Sequence, residues 1–339
     1  MAGQIIADYH VHSLASDGNW RPSQVVREAR NRGLEAIALT DHNTIYGLSE
    51  ALAEAARIGL KFDSGIEIAA KYEGDDLVLK NIEILGLGFS LPLIRGFAEK
   101  LDIQRLQTLE TIAARFNEFI TQEDFSKNNS NRQYPLKSPS VIAAGEMVAW
   151  KCKWNHYFNP SPVFSNTEIM FYLFERFAPQ VRLIEKTLAG NKRALQEAMA
   201  EYFFLFEVPV ELPTYAKAIK KIKDSGGFAI LAHPGRSSHY QESMLTREWE
   251  SDEKNWFSFK NNSPSLFVLS LKRAGLDGIE LYFYQGNDEK HGPMQERINH
   301  YFKSLAEQLG LIVTYGSDCH GPRGRIPYLG LFGSEKLVL

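Results

Sequence analysis

Two histidines two residues apart, His10 and His12, close the apolar run QIIADYH. Alternate side chains of an extended segment share a face, so both imidazoles can reach one ion. Asp17 follows on the next loop. The run EAIALTDH ends in Asp41 and His42, LKFDSGIEIA carries Glu67, and NIEILGLGF carries Glu83. Further on, FAILAHP ends near His233 and DGIELYF carries Glu280. LIVTYGSDCH ends in a second alternate pair, Asp318 and His320. Imidazole and carboxylate together are a donor set for divalent metal ions. With this many ligands, two or three ions are expected rather than one. Such ions acidify water and polarise phosphoryl or carbonyl oxygens, so the expected chemistry is hydrolysis. His156, His239 and His300 match no motif and are read as surface or packing residues, and His291 follows strand six and could line the site. Cys319 lies between two proposed ligands, and alternation turns it away from them as a small core residue.

These residues need a scaffold that gathers them. The apolar runs read as buried parallel strands, and the segments between the early ones read as helices. RPSQVVREARNRG has Pro22 near its start and Gly33 at its end; TIYGLSEALAEAARIG has a candidate cap at Thr44 and ends at Gly59. Strand–helix alternation implies right-handed crossovers and a parallel sheet. After about Phe89 the rhythm gives way to helical periodicity, as in FAEKLDIQRLQTLETIAARFNEFI and TEIMFYLFERF, separated by the polar stretch SKNNSNRQYPLKSPS. It resumes with the amphipathic YAKAIKKIKDSGG, followed by three more strands and the helices SLFVLSLKRAG and PMQERINHYFKSLAEQLG. The expected organisation is an α/β barrel from residues 1–90 and 213–339, with a mostly helical insertion at 91–212. The seven candidate strands would bring their carboxyl ends to one rim, where such barrels build their sites.

Composition excludes several other classes. The chain has 339 residues, 44% hydrophobic and 23% charged, with a formal net charge of −3, so disorder, collagen and a whole-protein basic footprint are poor readings. The two cysteines, Cys152 and Cys319, cannot make a disulfide framework or a four-cysteine zinc site. The start MAGQIIADYH lacks the pattern of a signal peptide, and no run approaches a membrane span. A cytoplasmic setting with no disulfide-linked partner is expected.

DYHVHSLASDG, LTDHN, GIEI, AHPGR and GSDCHG, in this order and at strand ends, resemble the signature of the PHP (polymerase and histidinol phosphatase) family. SGGFAILAHPGR is especially similar to the branch of nucleoside 3′,5′-bisphosphate phosphatases and 5′-3′ exoribonucleases. The resemblance covers about residues 5–90 and 214–325. It implies a distorted (β/α)7 barrel and three metal positions. One would use His10, His12, Glu67 and Asp318. A second would share Glu67 and add His233 and a strand-four residue. A third would use Asp17, His42 and His320. The strand-four ligand of the family is usually histidine; the matching string here places Glu83 there. A carboxylate is the harder ligand, which shifts the expected preference toward Mn²⁺ or Mg²⁺ over Zn²⁺; Fe²⁺ also suits the donor set.

The expected function is metal-dependent phosphoesterase, attacking phosphorus with a metal-bridging hydroxide. A metal-dependent amidohydrolase and a non-catalytic metal-binding module are the alternatives. Arg236 in AHPGR could grip phosphate with its planar fork, and Arg323 in HGPRGR is a further candidate. Asp41 is expected to orient a ligating histidine. The expected partner is a small phosphorylated substrate, with nucleotides and short oligonucleotides as candidate classes. The insertion is expected to cap the rim and select the substrate. Within it, AWKCKWNHYF interleaves Lys151 and Lys153 with Trp150 and Trp154, a string that reads either as a base-stacking platform or as a helix packing its aromatics inward.

Overall fold

The computed structural model describes residues 5–74, 77–121, 141–155, 164, 166–176, 211–234, 264–281, 291–322, 329–330 and 333–337. The chain divides into two compact units, Met1–Lys100 with Leu212–Leu339, and Leu101–Glu211.

The first unit is built on one seven-stranded sheet whose spatial order follows the chain. Its strands are β1 (Ala7–Val11), β2 (Ala36–Leu39), β3 (Lys61–Gly74), β4 (Leu77–Leu87), β5 (Phe228–Leu231), β6 (Gly278–Leu281) and β7 (Ile312–Tyr315). The first and last strands approach one another. His12 N–H donates to the Cys319 carbonyl at 2.9 Å, and the buried Asp8 carboxylate accepts the Ser317 N–H at 2.9 Å. The sheet is therefore a nearly closed, distorted barrel. Helices α1 (Pro22–Asn31) and α2 (Leu48–Ile58) connect the first three strands. Pro22 starts α1, where its missing N–H costs nothing. Gly59 ends α2 in a left-handed turn at φ 69°. Thr44 does not cap α2; the helix begins after Gly47, and Thr44 Oγ1 instead accepts the Tyr46 N–H.

One strand departs from the parallel expectation. β4 runs antiparallel to both β3 and β5. The hairpin needs only a short turn between β3 and β4, whereas a parallel return would need a crossover of a dozen residues or more. The consequence for the site is direct. Glu83 lies opposite Ala69, two residues beyond Glu67 in β3. It comes from the middle of an antiparallel strand, as Glu67 comes from the middle of β3, and not, as His10 does in β1, from near a carboxyl end.

The barrel interior is packed by Ala7, Tyr9, Ala36, Ala38, Leu85, Leu87, Ile230 and Ala232, with Ile312 against them. Ala7 pairs with inward Ala36, while Val11 pairs with Leu39, which alternation turns outward. The register slips between Asp8 and Val11. This irregularity switches the inward face of β1 from odd to even positions, so His10 and His12 join the side of Ala7 and Tyr9.

Later in this unit come α6 (Tyr215–Asp224), α7 (Pro264–Arg273) and α8 (His291–Leu309). Thr214 caps α6 by accepting the Lys217 N–H. The second unit contains most of α3 (Leu91–Thr121), with α4 (Ala144–Asn155) and α5 (Asn166–Arg176). Lys151 of α4 is fully buried and paired with Glu168 of α5 at 3.0 Å. Trp150 donates its indole N–H to Glu175 and meets Tyr172 edge-on. For Lys151 and Trp150 the observed contacts are those of packing within the helical unit. The side chain of Trp154, and the stretch SKNNSNRQYPLKSPS, lie outside the described residues. No helix among the described residues is long and apolar enough to cross a membrane.

Candidate metal centre

The barrel mouth collects the side chains singled out above. His10, His12, Glu67 and His233 are fully buried, and Asp318 and Glu280 nearly so. His10 Nε2 and His12 Nε2 are 3.1 Å apart. Each lies 3.3 Å from Glu67 Oε2, and they lie 3.5 and 3.1 Å from Asp318 Oδ1. Ligand atoms at about 2.0–2.1 Å from a divalent ion sit roughly 3.0–3.4 Å from each other. The four atoms thus have the spacing of a ligand set. Glu67 Oε2 also lies 3.0 Å from His42 Nδ1, yet it is buried with no well-aligned hydrogen bond. A buried carboxylate oxygen without a donor is costly unless a cation faces it.

A second grouping adjoins the first through the same carboxylate. His233 Nε2 lies 3.1 Å from Glu67 Oε1 and 3.5 Å from Glu83 Oε2. His42, Glu67 and Glu83 are also close enough to share an ion, so His42 faces two groupings and not only the third. In that third grouping Asp17 Oδ2 lies 3.4 Å from His320 Nε2 and 3.8 Å from His42 Nε2. His12 borders it too, with Nδ1 3.8 Å from Asp17 Oδ1 and no hydrogen bond of its own. The imidazoles stack, His12 on His320 at 4.3 Å and on His42 at 4.5 Å. The chemistry and spacing of the donor set fit divalent metal ions.

Charge at the mouth is set by burial and by the acids. Burial alone lowers an imidazole pKa. At His12, the neighbouring carboxylates of Asp318 and Glu67 outweigh burial and raise it to about 10. Glu280, Glu67 and Asp318 likewise outweigh burial at His10, and Glu67 does so at His233. His320 is raised against burial by Asp17. His42 goes the other way, because burial outweighs Glu67 and Asp17. Burial would raise Glu67 and Asp17, but the surrounding imidazoles hold both well below the ordinary carboxylate range.

Local backbone explains why the ligands point inward. Among the described residues, the non-glycine positions with positive φ are Asn43, His233 and Asp318, each just past a strand. Strained backbone of this kind collects at sites where surrounding contacts enforce it. Asn43 shows the enforcement: its N–H donates to the Glu67 carbonyl and its Oδ1 accepts the Ala69 N–H. That suture fixes His42 beside Glu67. Gly316, just past β7, is required by close approach. A Cβ there would lie 2.3 Å from His10 Cβ and 2.5 Å from Glu280 Oε1.

Asp41 is placed differently from the sequence expectation. Among the described residues its carboxylate bonds to no imidazole. It accepts the Ser13 N–H and hydroxyl, each at 2.7 Å, and the Ser16 hydroxyl at 2.6 Å. It therefore pins the loop that carries Asp17. Cys319 is buried, and burial pushes its thiol up to about 12. Arg236 and Arg323, and the side chain of His291, lie outside the described residues. By sequence Glu280 belongs to the donor set without a place in any of the three metal positions, and Asp8, Ser13 and Ser16 are not among the proposed ligands. A buried acid inside the apolar strings ADYHV and GIEL was the available signal for Asp8 and Glu280.

Comparison with known proteins places this architecture. A PHP domain model matches residues 8–146. The chain is 24% identical over 319 residues to the 5′-3′ exoribonuclease of Haemophilus influenzae, covering 94% of this chain and 91% of the relative. It is also 24% identical over 326 residues to the phosphoribosyl 1,2-cyclic phosphate 1,2-diphosphodiesterase of Eggerthella lenta, covering 96% and 98%. Its fold is similar to a crystal structure from Bifidobacterium adolescentis assigned as a metal-dependent phosphoesterase, with TM-score 0.61, 20% identity and coverage of 98% and 94%. Over residues 8–146 the chain is thus similar to PHP domains, and the two relatives extend the likeness along nearly its whole length.

Proposed function

We propose that this protein is a metal-dependent phosphoesterase that hydrolyses a nucleotide, a short oligonucleotide or another small phosphorylated substrate. The observation that carries the reading is Glu67, a buried carboxylate shared by two candidate ligand groupings, whose Oε2 accepts no hydrogen bond among the described residues. The two relatives described above are named for cleavage of phosphate esters. His10, His12, Glu67 and Asp318 would hold one divalent ion. Glu67, His233 and Glu83 would hold a second, and Asp17, His42 and His320 a third. Bound there, divalent ions supply Lewis acidity that makes water nucleophilic and neutralises charge on phosphate oxygens. The protein's own part is to keep this donor set convergent in a buried mouth. Asp41, through Ser13 and Ser16, keeps the Asp17 loop in place. Arg236 and Arg323, each three residues beyond a proposed histidine ligand, are proposed phosphate grips on sequence position. The carboxylate of Glu83 in place of an imidazole favours Mn²⁺ or Mg²⁺ over Zn²⁺.

The test is phosphate release from a panel of mononucleotides, nucleoside bisphosphates, cyclic phosphodiesters and 5′-phosphorylated oligonucleotides, with Mn²⁺ added and with chelator. Activity on at least one member, abolished by chelator, is expected. Inactivity across the panel together with hydrolysis of amide substrates would replace this reading by an amidohydrolase. Metal analysis of protein purified without added metal tests the preference, and a site filled by zinc alone counts against it.

A further inference from the structure

Glu280 of β6 is a buried acid to which the family resemblance gives no part. Its register explains its position. Gly278 pairs with Ile230 of the barrel interior, and Glu280 lies two residues on, on the same inward face. Both its oxygens face the Nδ1 atom of His10, at 3.1 and 2.9 Å. Its Oε2 also accepts the backbone N–H of His233 at 3.1 Å. His233 is one of the positive-φ residues, at 25°. The rings of His10 and His233 are parallel, 5.4 Å apart, so the acid lies beside a stacked pair. Gly316 leaves the room in which the carboxylate meets His10.

We infer that Glu280 is a positioning residue that sets two adjoining ligand groupings at once, by holding His10 in its Nδ1–H tautomer and His233 in its strained backbone conformation. The inference rests on the metal reading given above. An imidazole whose Nδ1–H donates to a carboxylate keeps its Nε2 lone pair free, and His10 Nε2 is the atom that faces His12, Glu67 and Asp318. The close approach of His10, His233 and Glu280 would also suit a ligand set. The geometry argues for the other role, because the Glu280 oxygens are already engaged by the Nδ1 atom and by a main-chain donor.

The experiment compares full-length wild type with Glu280→Gln, Glu280→Leu and, as the benchmark for a lost ligand, Glu67→Gln. Mn²⁺ affinity is read by calorimetry, and the His10 tautomer by long-range ¹H–¹⁵N spectra of the metal-free protein at alkaline pH. Leucine removes both acceptors and should weaken Mn²⁺ binding about 100-fold, whereas glutamine keeps an acceptor oxygen and should weaken it roughly tenfold. The Nδ1–H tautomer should persist in Glu280→Gln and be lost in Glu280→Leu. Unchanged affinity in both variants overturns the inference. So does a Glu280→Gln loss as large as that of Glu67→Gln, which would make Glu280 a direct ligand. These two readings of Glu280→Gln decide the question even if Glu280→Leu does not fold. Wild type that binds no Mn²⁺ overturns the metal reading and this inference together. Wild type that binds Mn²⁺ but hydrolyses no phosphate ester ends the phosphoesterase reading alone, and the variants then still decide the role of Glu280.

Discussion

In the helical unit, Lys151 lies buried 3.0 Å from Glu168, with its ammonium 4.9 Å from the centre of the Phe164 ring. At the barrel mouth, Glu67 and Asp318 lie buried among imidazoles at similar distances. The distances are alike and the electrostatics are not. In the helical unit an ammonium faces a carboxylate directly, so the Lys151–Glu168 pair compensates itself. An imidazole is cationic only when protonated, so the acids of the mouth depend on protons or on added cations. The rise of His12 to about 10 is the proton answer, and an ion is the other. The helical pair is complete as folded, while the mouth gathers donors spaced to suit a cation.

The largest expected effect separates the two regions outright. Glu67→Gln should lower metal-dependent phosphate release about 10³-fold, because metal catalysis is worth several kcal/mol, with Mn²⁺ content falling in parallel. Full activity with normal metal content would make the mouth another self-compensating network. Lys151→Met is the counterpart. It removes the ammonium that faces the buried Glu168 and should cost about 3–5 kcal/mol in denaturant unfolding, with metal content unchanged. The double change Lys151→Met with Glu168→Leu should recover most of that loss. A stability loss in the double variant as large as in the single one would mean that the pair is not the reason.

The next effect is a pH dependence that only the mouth should show. The pKa values of His10, His12, His233 and His320 are raised by folding, so the stability they contribute is complete below about pH 6.5. It is lost as pH climbs toward the folded value, about 10 for His12. Chelated protein should lose several degrees of Tm between pH 7 and 9.5, and Mn²⁺-loaded protein should lose less. Loading near pH 7 should release protons, measurable in weakly buffered solution. Identical pH profiles with and without metal would erase the contrast.

Asp41→Asn comes next. It weakens the acceptor of three hydrogen bonds on the Asp17 loop and should cost about 1–3 kcal/mol. It should also loosen the third ligand grouping while leaving the first intact, as metal stoichiometry would show. The smallest effect belongs to an exposed pair, Lys220–Asp224 on α6. Lys220→Ala should change stability by only about 0.3–0.5 kcal/mol, and high salt should abolish the difference.

Much of this was legible from local pattern. The histidine and carboxylate motifs, the seven strands and the helical character of α3 and α5 follow from periodicities that act over a few residues. Chain direction was not legible at β4. An apolar run reads alike in a parallel or an antiparallel strand, and only pairing with Ile84 and Leu85 against Leu231 and Ile230 decides it. Nor was the role of Asp41 legible. Its neighbour in sequence is His42, but its partners in space are Ser13 and Ser16, about 25 residues away. The buried Lys151 shows the same limit, since a lysine between tryptophans carries no mark of the Glu168 that will cover it.

By itself, the order of residues determined which side chains could chelate and that their strands would alternate with helices, because donor chemistry and side-chain period are local properties. The fold alone decided that they converge. The slip in β1 turned His10 and His12 inward. The hairpin brought Glu83 to the mouth, and β6 set Glu280 against a histidine 270 positions earlier in the chain. Each of these depends on register between strands, which is set by the packing of the whole barrel and by no single segment of it.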